Sequence, residues 1–134
     1  MARIAVLVSN PCRADARVIK MARAAAQAGH EVHVFATAGQ GAPLYEHAEG
    51  VTYHRLDWRP GALMMAGPPL AWIGALSHRV AAWLVKRLAP YLKYRLFART
   101  YAPPVAALAP DVIHAHDLVC LPAAQAAAQE CGAQ

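Results

Sequence analysis

The chain has 134 residues, 57% of them hydrophobic and 16% charged, with a net charge of +5. A chain of that length makes one domain, burying roughly 65% of its unfolded surface, and the composition excludes a disordered segment. Cys12, Cys120 and Cys131 form no CxxC pair, which excludes a zinc ribbon and a secreted disulfide framework and points to a reducing, cytoplasmic setting.

The chain opens on Ile4–Val8, a continuous apolar run of strand length, rich in β-branched residues. This is the pattern of a strand buried on both faces of a parallel sheet. A single charge, Arg3, precedes it without a cleavage site, so it reads as a strand and not as an export signal. After the loop Ser9–Ala14, Asp15 is placed to cap a helix with Val18, Met21, Ala22 and Ala25 inward and Lys20, Arg23 and Gln27 outward. Gly29 ends that helix as its C′ residue. Val32–Ala36 gives a second strand and Val51–Leu56 a third, joined by a Gly-rich link from Gly39 to Gly50. Two helices are expected next, Ala71–Ala89 and Pro90–Tyr101, since proline is tolerated at a helix start. Asp111–His114 is a short fourth strand, and Pro122–Cys131 a last helix ending at Gly132. The longest uncharged stretch, Gly61–Ser77, contains Pro68-Pro69 and falls short of the ~20 apolar residues a spanning helix needs, so no transmembrane helix is expected.

Strands alternating with helices imply right-handed crossovers and a doubly wound, Rossmann-like parallel sheet of the α/β class. In the order 3-2-1-4, strands one and four are neighbours, and a ligand crevice opens at their carboxyl ends. The loops Ser9–Asp15 and His114–Leu121 flank it. Neither G-x-G-x-x-G nor G-x-x-x-x-G-K-S/T is present, so ordinary dehydrogenase and nucleoside triphosphatase readings lose their support. Asn10, Arg13, Asp15 and Arg17 are suited to sugar hydroxyls or a phosphate, helped by the positive end of the following helix. The plainer alternative for Arg17 is an exposed first-turn residue paired with Asp15.

His114-Ala115-His116-Asp117 is the sharpest local signal, three ligand-type side chains leaving the end of a crevice strand. Substrate contact, a structural histidine pair and a hydrolase metal site all use this pattern, as does a binding module without chemistry. HxH metal motifs more often open a barrel on its first strand, whereas this one follows three strands, so no metal is assigned.

Charge is unevenly placed. Arg59–Pro110 carries seven Lys/Arg and no acidic residue, while the rest carries six basic and eight acidic residues. Such asymmetry points to an anionic surface. Val80, Leu84, Leu88, Leu92 and Leu96 recur every four residues, Arg79, Lys86 and Lys93 every seven, and Trp72, Trp83, Tyr91, Tyr94 and Tyr101 suit a headgroup region. Peripheral membrane contact through residues 70–101 is the expectation, with no nucleic-acid partner assigned. The competing account packs the same stripe on the sheet.

Four phrases in order now carry a resemblance: Ile4–Val8 with Asn10, Asp15-Ala16-Arg17-Val18-Ile19-Lys20, Ala28-Gly29-His30-Glu31-Val32-His33-Val34, and Pro110-Asp111-Val112-Ile113-His114-Ala115-His116-Asp117. Together they resemble the retaining GT-B glycosyltransferases of family 4, also called group 1, over Arg3–Ala36 and Pro110–Gly132. The middle matches poorly, and Asn10-Pro11-Cys12 stands where some branches carry paired glycines. The resemblance implies two Rossmann-like domains facing across a cleft, the first binding a glycan or lipid-linked acceptor and the second a nucleotide-sugar donor. Residues 1–134 are then the acceptor-side domain, stopping after the fourth strand and its helix and inactive alone. It further implies hexosyl transfer with retention, no cofactor or metal, and a histidine at His116 that touches the transferred sugar. Asp117 would orient His116 or cap the next turn, and His114, one strand position deeper, would serve stability. An open edge on strand four admits dimerisation or completion in trans.

Overall fold

Alternating apolar strands and amphipathic helices build one five-stranded sheet flanked on both faces. The computed structural model describes residues 1–58 and 78–134, and within them all side chains but those of 78–82 and 84–86. The stretch Gly61–Ser77 and the first part of the expected helix Ala71–Ala89 lie outside the described residues. The strands are β1 (Arg3–Leu7), β2 (Glu31–Thr37), β3 (Tyr45–Ala48), β4 (Val51–Leu56) and β5 (Val112–Ala115). The helices are α1 (Ala16–Gln27), α2 (His78–Ala107) and α3 (Leu121–Cys131). Strand order is β3-β4-β2-β1-β5, parallel throughout except for β3 at the edge. Apart from β3 this is the 3-2-1-4 winding expected from the sequence, a Rossmann-like α/β sheet with β1 central and β5 beside it.

The edge strand β3 is a correction, since the Gly39–Gly50 segment reads as a link. Its sequence, Tyr-Glu-His-Ala, is polar because only one partner strand covers it. Glu49 and Gly50 both take positive φ, 53° and 78°, which is the turn that matches strand twist in a two-residue hairpin.

Side chains alternate across the sheet and fill two cores. On one face Val6, Val8, Val32, Val34 and Val51 pack against Val18 and Ala22 of α1. On the other, Ala5, Leu7 and Phe35 pack against Phe97, Tyr101 and Val105 of α2 and Ala123 and Ala127 of α3. Asp15 caps α1 by accepting from Val18 N at 3.4 Å, and Gly29 ends it at φ 87°, both as expected.

The two expected helices split at Pro90 are a single helix, which also runs past Tyr101 through Pro103 and Pro104 to Ala107. Each interior proline removes one backbone hydrogen bond and crowds the preceding turn. Burial at four-residue spacing opposes that cost, because Phe97, Tyr101 and Val105 are all fully inaccessible. Tyr101 is further fixed by its hydroxyl donating to Ala36 O at 2.9 Å. Among the described residues no helix is long and apolar enough to cross a membrane. The outer edge of β5 is met by the chain itself: Gln134 N donates to Asp111 O at 3.1 Å and Ile113 N to Gln134 O at 2.8 Å.

Candidate functional site

The carboxyl ends of β1 and β5 lie side by side, and the backbone ties the loops that leave them. His116 N donates to Leu7 O at 3.0 Å, and Thr37 N to Asn10 O at 3.1 Å. Asn10 then organises its own loop, its Oδ1 accepting from Cys12 N at 2.8 Å and its Nδ2 donating to Asp15 Oδ2 at 3.0 Å. Cys12 is buried and sits at φ 52°, a left-handed conformation that a glycine adopts more readily. Burial pushes its thiol up to about 11, so it is an inert core group at neutral pH.

Arg55 secures this loop from below. It occupies an inward position of β4, is 4% exposed, and donates from Nε to Pro11 O at 3.0 Å and from Nη1 to Pro43 O at 2.9 Å. Glu46 of the edge strand neutralises it, with Nη1 2.8 Å from Oε2. The missed strand thus supports the site loop through a buried guanidinium held by Pro11 O, Pro43 O and Glu46.

The Asn10–Asp15 loop borders a cleft of about 430 Å³ whose walls include Asn10, Arg13, Asp15, Arg17 and Gln40. Four of the residues expected to meet substrate are therefore brought together. The Asn10 amide, then the Val18 amide and Arg17, hold the Asp15 carboxyl below its ordinary range against the opposing effect of burial. Arg13 reaches Gln40 O from Nη1 at 3.1 Å. Arg17 lies on the rim, its side chain 78% exposed and its Nε 3.5 Å from Asp15 Oδ1. That is the plainer alternative of a solvated first-turn pair, at the mouth of a cleft.

His114, His116 and Asp117 do not line this cleft but adjoin it. The His114 and His116 rings stack with centroids 4.5 Å apart and planes inclined by 21°, so both project from one side of the strand end. His114 is exposed, which corrects the expectation of a deeper histidine. It sits on the edge strand, on the face that α1 covers over the central strands. His116 is half-buried, and its Nε2 is fully enclosed without a hydrogen-bond partner among the described residues. Burial first, then His114, lowers its pKa below the ordinary histidine value, with smaller influences from Asp15, Arg17 and Asp117. The ring is thus a neutral imidazole with one unsatisfied nitrogen, within electrostatic reach of the cleft.

Asp117 has a different partner from those expected. Ser9 donates to its Oδ2 from the backbone at 2.9 Å and from Oγ at 2.6 Å, which holds the carboxyl below its usual range. No side-chain cap is made to the turn Leu118–Cys120. Asp117 joins the β5 loop to the β1 loop because Ser9, directly after β1, offers two donors at that level. Among the described residues no group of three His, Cys, Asp or Glu is placed to hold a metal ion.

Ser9, Gln40 and Arg55 were not singled out by sequence. Arg55 was legible in principle, since alternation places it with inward Val51 and Tyr53; Ser9 and Gln40 needed the fold.

An α/β domain with a parallel sheet wound in this order, and a polar cleft beside the loop that follows β1, belongs to the Rossmann-like class. The family model for Glycosyltransferase Family 4 matches residues 14–133. The chain belongs to that family, and its domain is of the glycosyltransferase type. No curated protein and no solved structure matches it.

Proposed function

We propose that this chain is the acceptor-side domain of a retaining GT-B hexosyltransferase that moves a sugar from a nucleotide sugar to a glycan or lipid-linked acceptor in the cytoplasm. The observation that carries the reading is a neutral His116 next to the Asn10–Arg17 cleft, its enclosed Nε2 without a hydrogen-bond partner among the described residues. A buried polar nitrogen without a partner is costly, which favours a turn of the half-buried ring that brings the nitrogen to a ligand group. Hydroxyl groups of a sugar serve as that group without requiring a charge. In this reading Asn10, Arg13, Asp15 and Arg17 present hydrogen-bonding groups and a cation to the acceptor side. His116 fixes the transferred sugar, and His114 backs its ring. The acceptor hydroxyl is the nucleophile, and the chain contributes orientation and charge stabilisation instead of a covalent intermediate. Asp117 acts through the loop, holding His116's neighbourhood against Ser9.

The test is nucleotide release from a panel of nucleotide sugars by the whole enzyme and its His116→Ala variant. The expected result is a turnover number lower by roughly tenfold to a thousandfold with the urea midpoint nearly unchanged, as for loss of a contact strengthened in the transition state. Equal turnover in the variant returns His116 to a structural role and removes the support for this reading.

A further inference from the structure

On the sheet face that α2 and α3 cover over the central strands, the outer strands carry a row of ionisable rings that the cleft does not use. Alternation turns Glu31, His33 and Phe35 of β2 to this face, with Thr52 and His54 of β4 and Tyr45 and His47 of β3 beyond them. The row is bonded end to end. Arg3 of β1 donates from Nε to Glu31 Oε2 at 2.9 Å and from Nη1 to Leu108 O at 2.9 Å. Glu31 Oε1 lies 2.9 Å from His33 Nε2, and His33 Nδ1 lies 2.9 Å from His54 Nε2. A carboxylate only accepts, so a neutral His33 carries its proton on Nε2, leaves Nδ1 as the acceptor and is met there by the N–H of His54. The His54 ring is held between Phe35, stacked at 4.8 Å, and Tyr45, edge-on at 5.5 Å. His47 is turned to Thr52, its Nδ1 3.1 Å from Oγ1, and among the described residues no charged side chain of α2 or α3 acts on His54.

We propose that the Glu31–His33–His54 row is an acid-sensitive clasp between β2 and β4, closed while the two imidazoles hold at most one added proton and sprung by the second. The count follows from the bond itself. With no added proton, His54 donates to His33. A first proton, taken from solvent at His54 Nδ1, lets the bonding proton pass to His33 Nδ1; His33 becomes an imidazolium beside Glu31, and His54 Nε2 becomes the acceptor. A second proton leaves no acceptor between the rings. Two cations then face each other with centroids 5.2 Å apart, and only His33 has a carboxylate beside it. Burial first, and then the His33 ring, holds the His54 pKa below the ordinary histidine value, as a ring that resists this proton requires. The clasp bears on the cleft through its neighbours in sequence. Arg55, next to His54 on β4, donates to Pro11 O of the cleft loop, and Glu46, next to Tyr45 on β3, pairs with that guanidinium. This inference does not rest on the proposed sugar transfer.

The experiment is urea denaturation of the purified chain and of its His54→Gln variant between about pH 7.5 and 5. An unfolded histidine takes up its proton near about 6.5. A native pair that resists the second proton therefore loses stability as pH falls below that value, the unfolding constant rising by up to about tenfold per pH unit for one proton of difference. Glutamine at position 54 donates to a neutral His33 or, with its amide turned, accepts from a charged one, so the bond persists without a second cation. His54→Gln should thus stay near the wild-type midpoint at neutral pH and exceed it in acid. His116 and the carboxylates titrate in both proteins and cancel in the difference. His33→Gln, which keeps a donor for Glu31 and an acceptor for His54, replaces the first variant if that one fails to fold. In the wild type the His33 and His54 ring resonances, assigned from the variants, should move together in two steps. The second step should carry a loss of exchange protection at the Arg55 amide, which donates to Leu44 O at 2.7 Å. Parallel pH curves for wild type and variant overturn the proposal, as do two independent ring titrations with the Arg55 amide unmoved.

Discussion

The two faces of the sheet solve the packing problem with different materials. Toward α1 the core is mostly valine and alanine, Val6, Val8, Val18, Val32, Val34 and Val51 around Ala22 and Ala36, with Tyr53 its one buried ring and Cys12 beside it among the described residues. Toward α2 and α3 it is aromatic, with Phe35, Phe97 and Tyr101 buried and Trp58 and Tyr94 packed on them. The small, stiff side chains let α1 approach the strands closely, so its amino terminus and the Asn10–Asp15 loop are set against the strand ends. The aromatic face holds a long helix through three interior prolines. Precision is concentrated on the first face, where the cleft lies, and bulk on the second.

Truncation should therefore cost more on the aromatic face. Phe97 stacks on Tyr101 with centroids 4.0 Å apart and meets Trp58 edge-on at 5.3 Å. Phe97→Ala is expected to destabilise by about 3–5 kcal/mol, from lost transfer energy plus the cavity left behind. Val34→Ala, equally buried on the α1 face, should cost about 2 kcal/mol. Urea denaturation of both variants measures the difference. A Val34→Ala cost equal to or above that of Phe97→Ala would break the contrast between bulk and precision.

Arg55 sharpens the same contrast from the α1 side. Arg55→Leu leaves Pro11 O and Pro43 O without their donor and separates Glu46 from its cation, an expected loss of about 2–3 kcal/mol. Glu46 is partly solvated and falls back on water, which keeps the loss below that of a fully buried pair. The specific readout is Cys12, enclosed next to Pro11: its alkylation, mapped by mass spectrometry, should accelerate in Arg55→Leu and stay slow in Phe97→Ala. Equal acceleration in both would mean general unfolding and no pinning of the site loop by Arg55.

Legibility in the sequence followed the same division. The α1 face was readable because its pattern is local: an apolar run for β1, alternation in β2, Asp15 before a helical stripe and Gly29 after it. The helix α2 was read as two because proline is a local signal of a break, while the burial of Phe97, Tyr101 and Val105 that overrides it comes from distant strands. The edge strand β3 was missed because half-exposed polar residues carry little periodic signal, although Glu49-Gly50 marks its turn. At the site, Asn10, Arg13, Asp15 and Arg17 were found together because they are adjacent in sequence. The Ser9–Asp117 bond was not, since it joins residues 108 apart, and no local pattern encodes such a pairing. His114 was taken as the deeper histidine because strand position suggests depth, but the edge position of β5 decides its exposure.

The smallest expected effect concerns that bond and depends on pH. The Asp117 carboxyl is held below its ordinary range chiefly by the Ser9 hydroxyl, so its folded pKa lies beneath the roughly 3.9 of an unfolded aspartate. A depressed carboxyl contributes stability that is fully present above the unfolded value and is lost as pH falls through the folded one. Asp117→Asn keeps an acceptor oxygen for Ser9 but removes the charge, at an expected cost of about 1 kcal/mol near pH 7. The gap between the two proteins should narrow as pH falls below the unfolded value and close once the folded carboxyl is protonated too, because the aspartate is then neutral as well. Asp15 is also depressed and acid-labile, but it is common to both proteins and cancels in the difference. His116 does not cancel completely. Asp117 is the least of the influences raising its pKa, and removing that charge lets the histidine pKa fall a little further. The variant then pays slightly more for burying a neutral imidazole as pH drops below about 6.5. The gap should accordingly widen a little between neutral pH and about 5 before the carboxyl titration closes it. Urea midpoints measured across that range test the sequence of signs. A gap independent of pH would show that Ser9 holds Asp117 by geometry alone, with the two site loops joined by a bond indifferent to charge.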